Sequence, residues 1–352
     1  MFKVGVFPGK FYPPHRGHLT AILKASTQCA KLYVVVCANA ELESHFTIAG
    51  NIQPITLNDR VRWLSIELRN FSHIKVVGME EKGVPIYPYG WKEWSILLNK
   101  TITEEFQAIF GSDSYKQKEG YTDHFPNVEY VLADEERERV KISATEIRAN
   151  PYKYWDFILG AARPHFAKRI LIAGTESCGK TTLTTLLAKY YNTAWTEEEG
   201  RYYSARHLGG NESTFIPEDF FNICADQRRV EDHALKSANR LVFFDTDAVI
   251  TQYYCEMYTG CRNPKIDSFI DESRYDIVLY LVPDVEWVDD GLRFKGEQTE
   301  RNKLDDKLYQ MYCDYGFFPK IYTIRGTYEE RLTTALKICD NTLKKGGTYE
   351  FK

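Results

Sequence analysis

Twice in this chain an apolar run of strand length stops at a glycine and gives way to a helical pattern. Residues 4–7 lead into Gly9-Lys10-Phe11-Tyr12-Pro13-Pro14-His15-Arg16-Gly17-His18, and an amphipathic run over 19–29 follows. Residues 169–173 lead into Gly174-Thr175-Glu176-Ser177-Cys178-Gly179-Lys180-Thr181, and a helical pattern runs on to Tyr191. A strand that passes through a short loop into a helix builds parallel sheets, because the next strand must start again at the far end. The expected fold class is therefore α/β, with a parallel sheet in each half. At 352 residues two domains are the natural division. We expect them at 1–163 and 164–352, with the break at Gly160-Ala161-Ala162-Arg163-Pro164 after a short helix over 151–159.

Both loops have the chemistry of phosphate binding. A helix N-terminus presents free N–H groups and a positive dipole end. In the first loop His15 and His18 are three apart, so on a helix they share one face and could both donate to one phosphate. Gly9 would let the backbone approach a nucleotide closely, with Lys10 and Phe11 beside it. The second loop is GxxxxGK[ST] in its confirming context of strand before and helix after. Gly174, Ser177, Cys178 and Gly179 would offer backbone N–H groups to phosphates. Lys180 would reach the terminal ones, and Thr181, followed by Thr182, would face Mg²⁺.

Further candidates follow along the chain. A helix opening near Thr56 or Asn58 carries Arg60, Arg62 and Trp63, whose arginines are either solvated surface or neighbours of a substrate phosphate. Trp91 and Trp94 are either core or a stacking platform for a flat pyridine ring. A strand over 106–110 ends in a loop with Asp113, at the sheet edge where ligands bind in open α/β folds. Ser143 and Glu146 have capping-box spacing, and Ser143, Thr145 and Arg148 together could hold an anion. In the second half, the strand 241–245 ends in Asp245-Thr246-Asp247, placing carboxylates for a magnesium shell. The glutamates of Glu197-Glu198-Glu199-Gly200-Arg201 are either solvated surface or include one that orients an attacking hydroxyl, with Glu199 and Arg201 as candidates for substrate binding. The polar stretch 289–301, with Arg293 and Arg301, reads as a lid.

A net charge of −4 with mixed signs gives no basis for a nucleic-acid partner. No apolar run reaches membrane-spanning length. The eight cysteines are scattered without zinc-type spacing, and no secretory segment precedes the first strand. A cytoplasmic protein with small-molecule partners is expected, and a homo-oligomer is left open.

The window from Gly9 to His18 resembles the GxFxPxHxGH motif of the nucleotidyltransferase superfamily. That family has a Rossmann-like fold and transfers a nucleotidyl group from ATP with release of pyrophosphate. Residues 142–148 resemble its second motif, I-S-S-T-x-I-R, with Ala144 replacing one serine, and by resemblance hold the pyrophosphate end of ATP. The two halves together resemble the NadR-type family, a nicotinamide-mononucleotide adenylyltransferase joined to a P-loop ribosylnicotinamide kinase. The resemblance implies NAD salvage. Nicotinamide riboside would be phosphorylated by ATP with Mg²⁺, and the mononucleotide would then be adenylylated by ATP to NAD. It implies catalytic roles for His15, His18, Arg148, Lys180, Asp247 and Arg293, with Asp245 and Thr181 at the metal. Some members carry an N-terminal helix-turn-helix, which is not expected here. Two alternatives remain at this point: a phosphopantetheine adenylyltransferase/dephospho-coenzyme-A kinase fusion, and a regulator that senses NAD or ATP without turnover.

Overall fold

The structure, a computed structural model, describes residues 1–86, 89–111, 116–133, 140–284 and 298–344. Asp113 and Arg293, and with Arg293 most of the expected lid, lie outside the described residues. The chain divides into two compact units, Met1–Phe166 and Ala167–Lys352.

The first unit holds five parallel strands: β1 (Phe2–Gly9), β2 (Cys29–Ala38), β3 (Ile74–Glu80), β4 (Ala108–Gly111) and β5 (Glu129–Leu132), in the order β3-β2-β1-β4-β5. The central strands are covered on both faces, and so they are apolar on both faces: Val4, Val6 and Phe7 of β1 and Leu32, Val34, Val35 and Val36 of β2 are all buried. β1 is the strand at which the order reverses, with β2 on one side and β4 on the other. A loop leaving its carboxyl end opens into the crevice where such sheets bind ligands.

The second unit repeats the plan with β6 (Lys168–Ala173), β7 (Trp195–Thr196), β8 (Leu241–Asp245), β9 (Ile277–Leu281) and β10 (Ile321–Ile324), ordered β10-β9-β6-β8-β7 and again all parallel. β6 lies between β8 and β9, so the second glycine loop also leaves a central strand at a reversal point.

Sequence and structure differ at several elements. The helix Ala40–Gly50 has only Gly50 buried, so no apolar stripe marks it in the sequence. It is set instead by its ends: Asn39 caps it and Asn51 closes it in the left-handed region at φ 47°. The expected helix over 151–159 is only a 3₁₀ turn, Trp155–Phe157, followed by a second at Gly160–Ala162 and a single helical turn at Arg163–Phe166. Trp155, Ile158 and Leu159 stand at the i, i+3, i+4 spacing of one helix face and are all buried, but Ile158 and Leu159 take extended backbone, so the turn ends at Phe157. Of the two caps foreseen for the helix Leu57–Leu68, Thr56 is the one used, reciprocated by Asp59.

Candidate active sites

The first glycine loop is built around Phe11. This residue takes a left-handed conformation at φ 49°, unusual for a bulky side chain, and is 2% exposed. A Cβ on Gly9 would lie 2.7 Å from the Phe11 ring. The glycine therefore makes room for Phe11, and it also lines the cleft over this loop. A Cβ on Gly17 would meet the His15 imidazole at 3.1 Å.

His15 is the N-cap of the helix Arg16–Ser26, with extended backbone, and is not on the helix face as the spacing suggested. Its Nδ1 accepts from the His18 backbone N–H at 3.4 Å, leaving Nε2 as the donor atom of the neutral ring. The two imidazoles nevertheless meet, stacked with centroids 3.6 Å apart, and His18 also meets the Phe11 ring edge-on at 5.0 Å. Of the pair, His18 lines the cleft of about 420 Å³ over this loop.

Lys10, Thr145 and Arg148 line the same cleft. Arg148 donates to the Tyr12 carbonyl at 2.6 Å and to Thr145 Oγ1 at 3.0 Å, and its guanidinium lies over the Phe46 ring at 4.2 Å. Burial lowers its pKa, and as a guanidinium it stays a cation. Ser143 is placed otherwise. Its hydroxyl is engaged by Glu146 on both sides of a capping box, which accounts for it as the cap of a short helix. Trp91 and Trp94 pack against the core and line the cleft as well, so the two readings of them are compatible.

Arg60 fits neither reading given to it. It is fully buried, and donates to the carbonyls of Lys10 (2.7 Å), Cys37 (3.3 Å) and Thr56 (3.2 Å) and to Glu43 (2.7 Å). It is a strut that ties the glycine loop to β2. Arg60→Met would remove the cation from the half-buried Glu43 carboxylate and a donor from three carbonyls, so we expect the unit to lose about 1–3 kcal/mol in urea unfolding. A loss below about 1 kcal/mol would show that the strut does not hold the loop.

The second glycine loop shows why its residues are what they are. Gly174, at φ 139°, lies so close to the Leu281 carbonyl that a Cβ would sit 2.4 Å from it. Ser177 at φ 54° and Gly179 at φ 85° complete the turn into the helix Lys180–Tyr191. The Cys178 thiol is fully buried beneath the loop and donates to the Thr175 carbonyl at 3.0 Å, so this residue offers a ligand its backbone only. Arg331, which the sequence reading missed, is the counterpart of Arg60. It is 1% exposed and donates to the carbonyls of Cys178, Gly326 and Val282 and to Asp284.

Lys180 is buried, with Nζ donating to the Thr175 carbonyl at 2.8 Å. Burial pulls its pKa down, but Cys178, Glu198, Asp245 and Glu176 outweigh this and hold the ammonium charged. Thr181 Oγ1 donates to Asp245 Oδ2 at 2.6 Å. Asp245 is fully buried, and its Oδ1 has no hydrogen-bond partner among the described residues. Burial pushes its pKa up to about 6. A buried carboxylate with one oxygen unanswered, beside a hydroxyl at the end of a phosphate loop, is the donor set a hard divalent cation takes. Asp247 is placed differently from its expected catalytic role. It caps the helix Ala248–Thr259 through Ile250 N–H and accepts from the Tyr312 hydroxyl at 2.6 Å. Thr182 is on the exposed side of its helix.

The cavity beside this loop is lined by Lys180, Glu198, Arg201 and the aromatic residues Phe215, Tyr254 and Tyr258. Glu199, the carboxylate chosen from sequence, is not among the lining residues. Its backbone N–H meets Gln227 Oε1 at 3.1 Å. Glu197 is taken by the Tyr202 hydroxyl. Glu198 is the one that faces the cavity, 3.6 Å from Arg201. Arg301 belongs to the helix Gln298–Asp314.

Two family models match, each within one unit: Cytidylyltransferase-like over residues 6–150 and AAA domain over 169–331. A curated relative, the trifunctional NAD biosynthesis/regulator protein NadR of Salmonella typhimurium strain LT2, is 36% identical over 314 residues, covering 88% of this chain and 76% of the relative. The chain belongs to the NadR family. Two solved structures share its fold along the whole length: NadR protein in complex with NR, at TM-score 0.79 and 23% identity, and NadR protein in complex with NAD and AMP-PNP, at 0.77 and 22%. Each covers 100% of this chain and is itself 99% covered. Among the described residues of this NadR-family chain, no helix is long and apolar enough to cross a membrane.

Proposed function

We propose that this chain carries out two successive steps of NAD salvage. The C-terminal unit phosphorylates nicotinamide riboside with ATP. The N-terminal unit then transfers the adenylyl group of a second ATP to the mononucleotide, giving NAD and pyrophosphate. The observation that carries this reading is that the likeness to NadR covers 88% of the chain, through both glycine loops. For a fusion acting on coenzyme-A precursors, the likeness to a phosphopantetheine adenylyltransferase covers 42% of the chain.

In the first unit the mononucleotide phosphate is already a nucleophile. One of its oxygens bonds to the α-phosphorus of ATP as the bond to the bridging oxygen of pyrophosphate breaks. Catalysis then requires positioning and charge stabilisation only. His18 would donate to the α-phosphate oxygens, and Lys10, Thr145 and Arg148 would hold the departing pyrophosphate. Trp94 would face the pyridine ring.

In the second unit the riboside 5′-oxygen bonds to the γ-phosphorus and ADP leaves. Lys180 would neutralise charge on the phosphates. Thr181 and Asp245 would hold Mg²⁺, which when bound spreads the charge developing on the transferred group. Glu198 would orient the 5′-hydroxyl and take its proton. Glu198→Gln should lower riboside phosphorylation by about 10²-fold, the low end for a positioned proton acceptor. Glu199→Gln should lower it far less, and equal losses in the two variants would remove Glu198 from this role.

The reading is tested by supplying nicotinamide riboside, ATP and Mg²⁺ and measuring mononucleotide, ADP, NAD and pyrophosphate separately. All four should form. Mononucleotide supplied in place of riboside should give NAD and pyrophosphate without ADP. Failure to consume either substrate would overturn the proposal.

A further inference from the structure

Among the described residues that line the cleft of the first unit is a buried carboxylate to which the adenylyl transfer, as read above, gives no direct contact with the reacting atoms. Glu81 directly follows β3. Its backbone N–H donates to the Ala38 carbonyl at 2.7 Å, so the sheet fixes where its side chain begins. The residue is 9% exposed. Oε1 accepts from the Trp94 indole Nε1–H at 3.1 Å, and Oε2 accepts from Lys10 Nζ at 2.5 Å. Trp94 is held in turn by edge contacts with Trp91 and Tyr121, at 5.9 and 5.6 Å between centroids. All five side chains line the cleft. Burial, with Glu81 adding to it and Lys10 opposing it, pushes the neighbouring Cys37 thiol up to about 12.

We propose that Glu81 is a specificity-determining residue that reads the charge of the pyridine base, favouring a pyridinium carboxamide over a pyridinium carboxylate. This rests on the reading of the cleft as a mononucleotide site. The ring of nicotinamide mononucleotide is positively charged at every pH, and its carboxamide is neutral. A carboxylate accepting from the indole N–H raises electron density over the indole face, which strengthens its attraction for a cation. In nicotinate mononucleotide the base is net neutral, and its own carboxylate would approach Glu81 as a like charge. Lys10 pairs with the carboxylate on the side of the glycine loop, so what the indole meets is an ion pair with its negative end turned toward Trp94.

The test compares kcat/KM for adenylylation of nicotinamide mononucleotide, nicotinate mononucleotide and the mononucleotide of benzamide riboside, a carbon-linked isostere with an uncharged ring. The parent chain should favour the nicotinamide substrate over each of the others by about tenfold or more. Glu81→Gln keeps an acceptor for the indole N–H and removes the charge. It should narrow both gaps, with the change in KM rather than in kcat. Trp94→Phe keeps an aromatic face and removes the link to the carboxylate, and should narrow them as well. Equal use of the charged and uncharged bases by the parent chain overturns the proposal, and so does undiminished discrimination in a folded Glu81→Gln chain. Absence of turnover with all three bases would instead count against the cleft as a mononucleotide site.

Discussion

Lys180→Ala should abolish riboside phosphorylation and leave adenylyl transfer to supplied mononucleotide close to the parent rate. Lys180 is buried in the loop, its Nζ 2.8 Å from the Thr175 carbonyl, and the acidic groups around it hold the ammonium charged. Phosphoryl transfer offers the protein little covalent chemistry, so most of the catalysis is neutralisation of charge on the phosphates. Removing the one buried cation of this loop should cost about a thousandfold, the upper end for a single preorganised group. The first unit has its own sheet, glycine loop and cleft, which is why its reaction should persist. Adenylyl transfer measured from supplied mononucleotide checks the fold of the variant. Loss of both activities in a folded chain would contradict the two-site reading.

His18→Ala should produce the opposite pattern. Negative charge grows on the α-phosphate oxygens only as attack and departure proceed. A donor aimed at them acts mainly in the transition state, so its loss falls on turnover more than on binding. The His18 ring is fixed by its stack with His15 and its contact with Phe11, and fixed donors are the ones whose removal costs most. NAD formation should fall about a hundred- to a thousandfold, with the KM for ATP changed far less. Mononucleotide from the second unit should accumulate. His18→Asn, which can return one donor, should recover part of the rate. NAD formation near the parent rate in His18→Ala would show that this loop has been misread.

The parts of both sites that lie along one stretch of chain were legible in the sequence. Strand, glycine loop and helix are contiguous, so the order of residues alone placed His18, Lys180 and Thr181. The capping box at Ser143 was legible for the same reason, but its spacing could not say whether the hydroxyl faces a ligand or its own helix. What the sequence left open are the contacts that the sheet order brings together. Arg60 is 50 residues from the Lys10 carbonyl it braces, and Arg331 is 153 from Cys178. In the sequence each is one more arginine on an amphipathic helix. Glu81 was passed over although it stands at the carboxyl end of a strand, a position that was itself a usable signal. Which glutamate of the run 197–199 faces the cavity stayed open, because three glutamates in a row carry no mark of which one turns inward. Asp247 illustrates the converse, since a carboxylate after a strand can equally cap the next helix.

The claim that two separate sites act in sequence is tested most directly by mixing the two variants. Lys180→Ala alone, given nicotinamide riboside, ATP and Mg²⁺, should make neither product. His18→Ala alone should make mononucleotide with little NAD. An equal mixture should make NAD from riboside, because one chain supplies the mononucleotide that the other adenylylates. A mixture that makes no more NAD than His18→Ala alone would contradict the account.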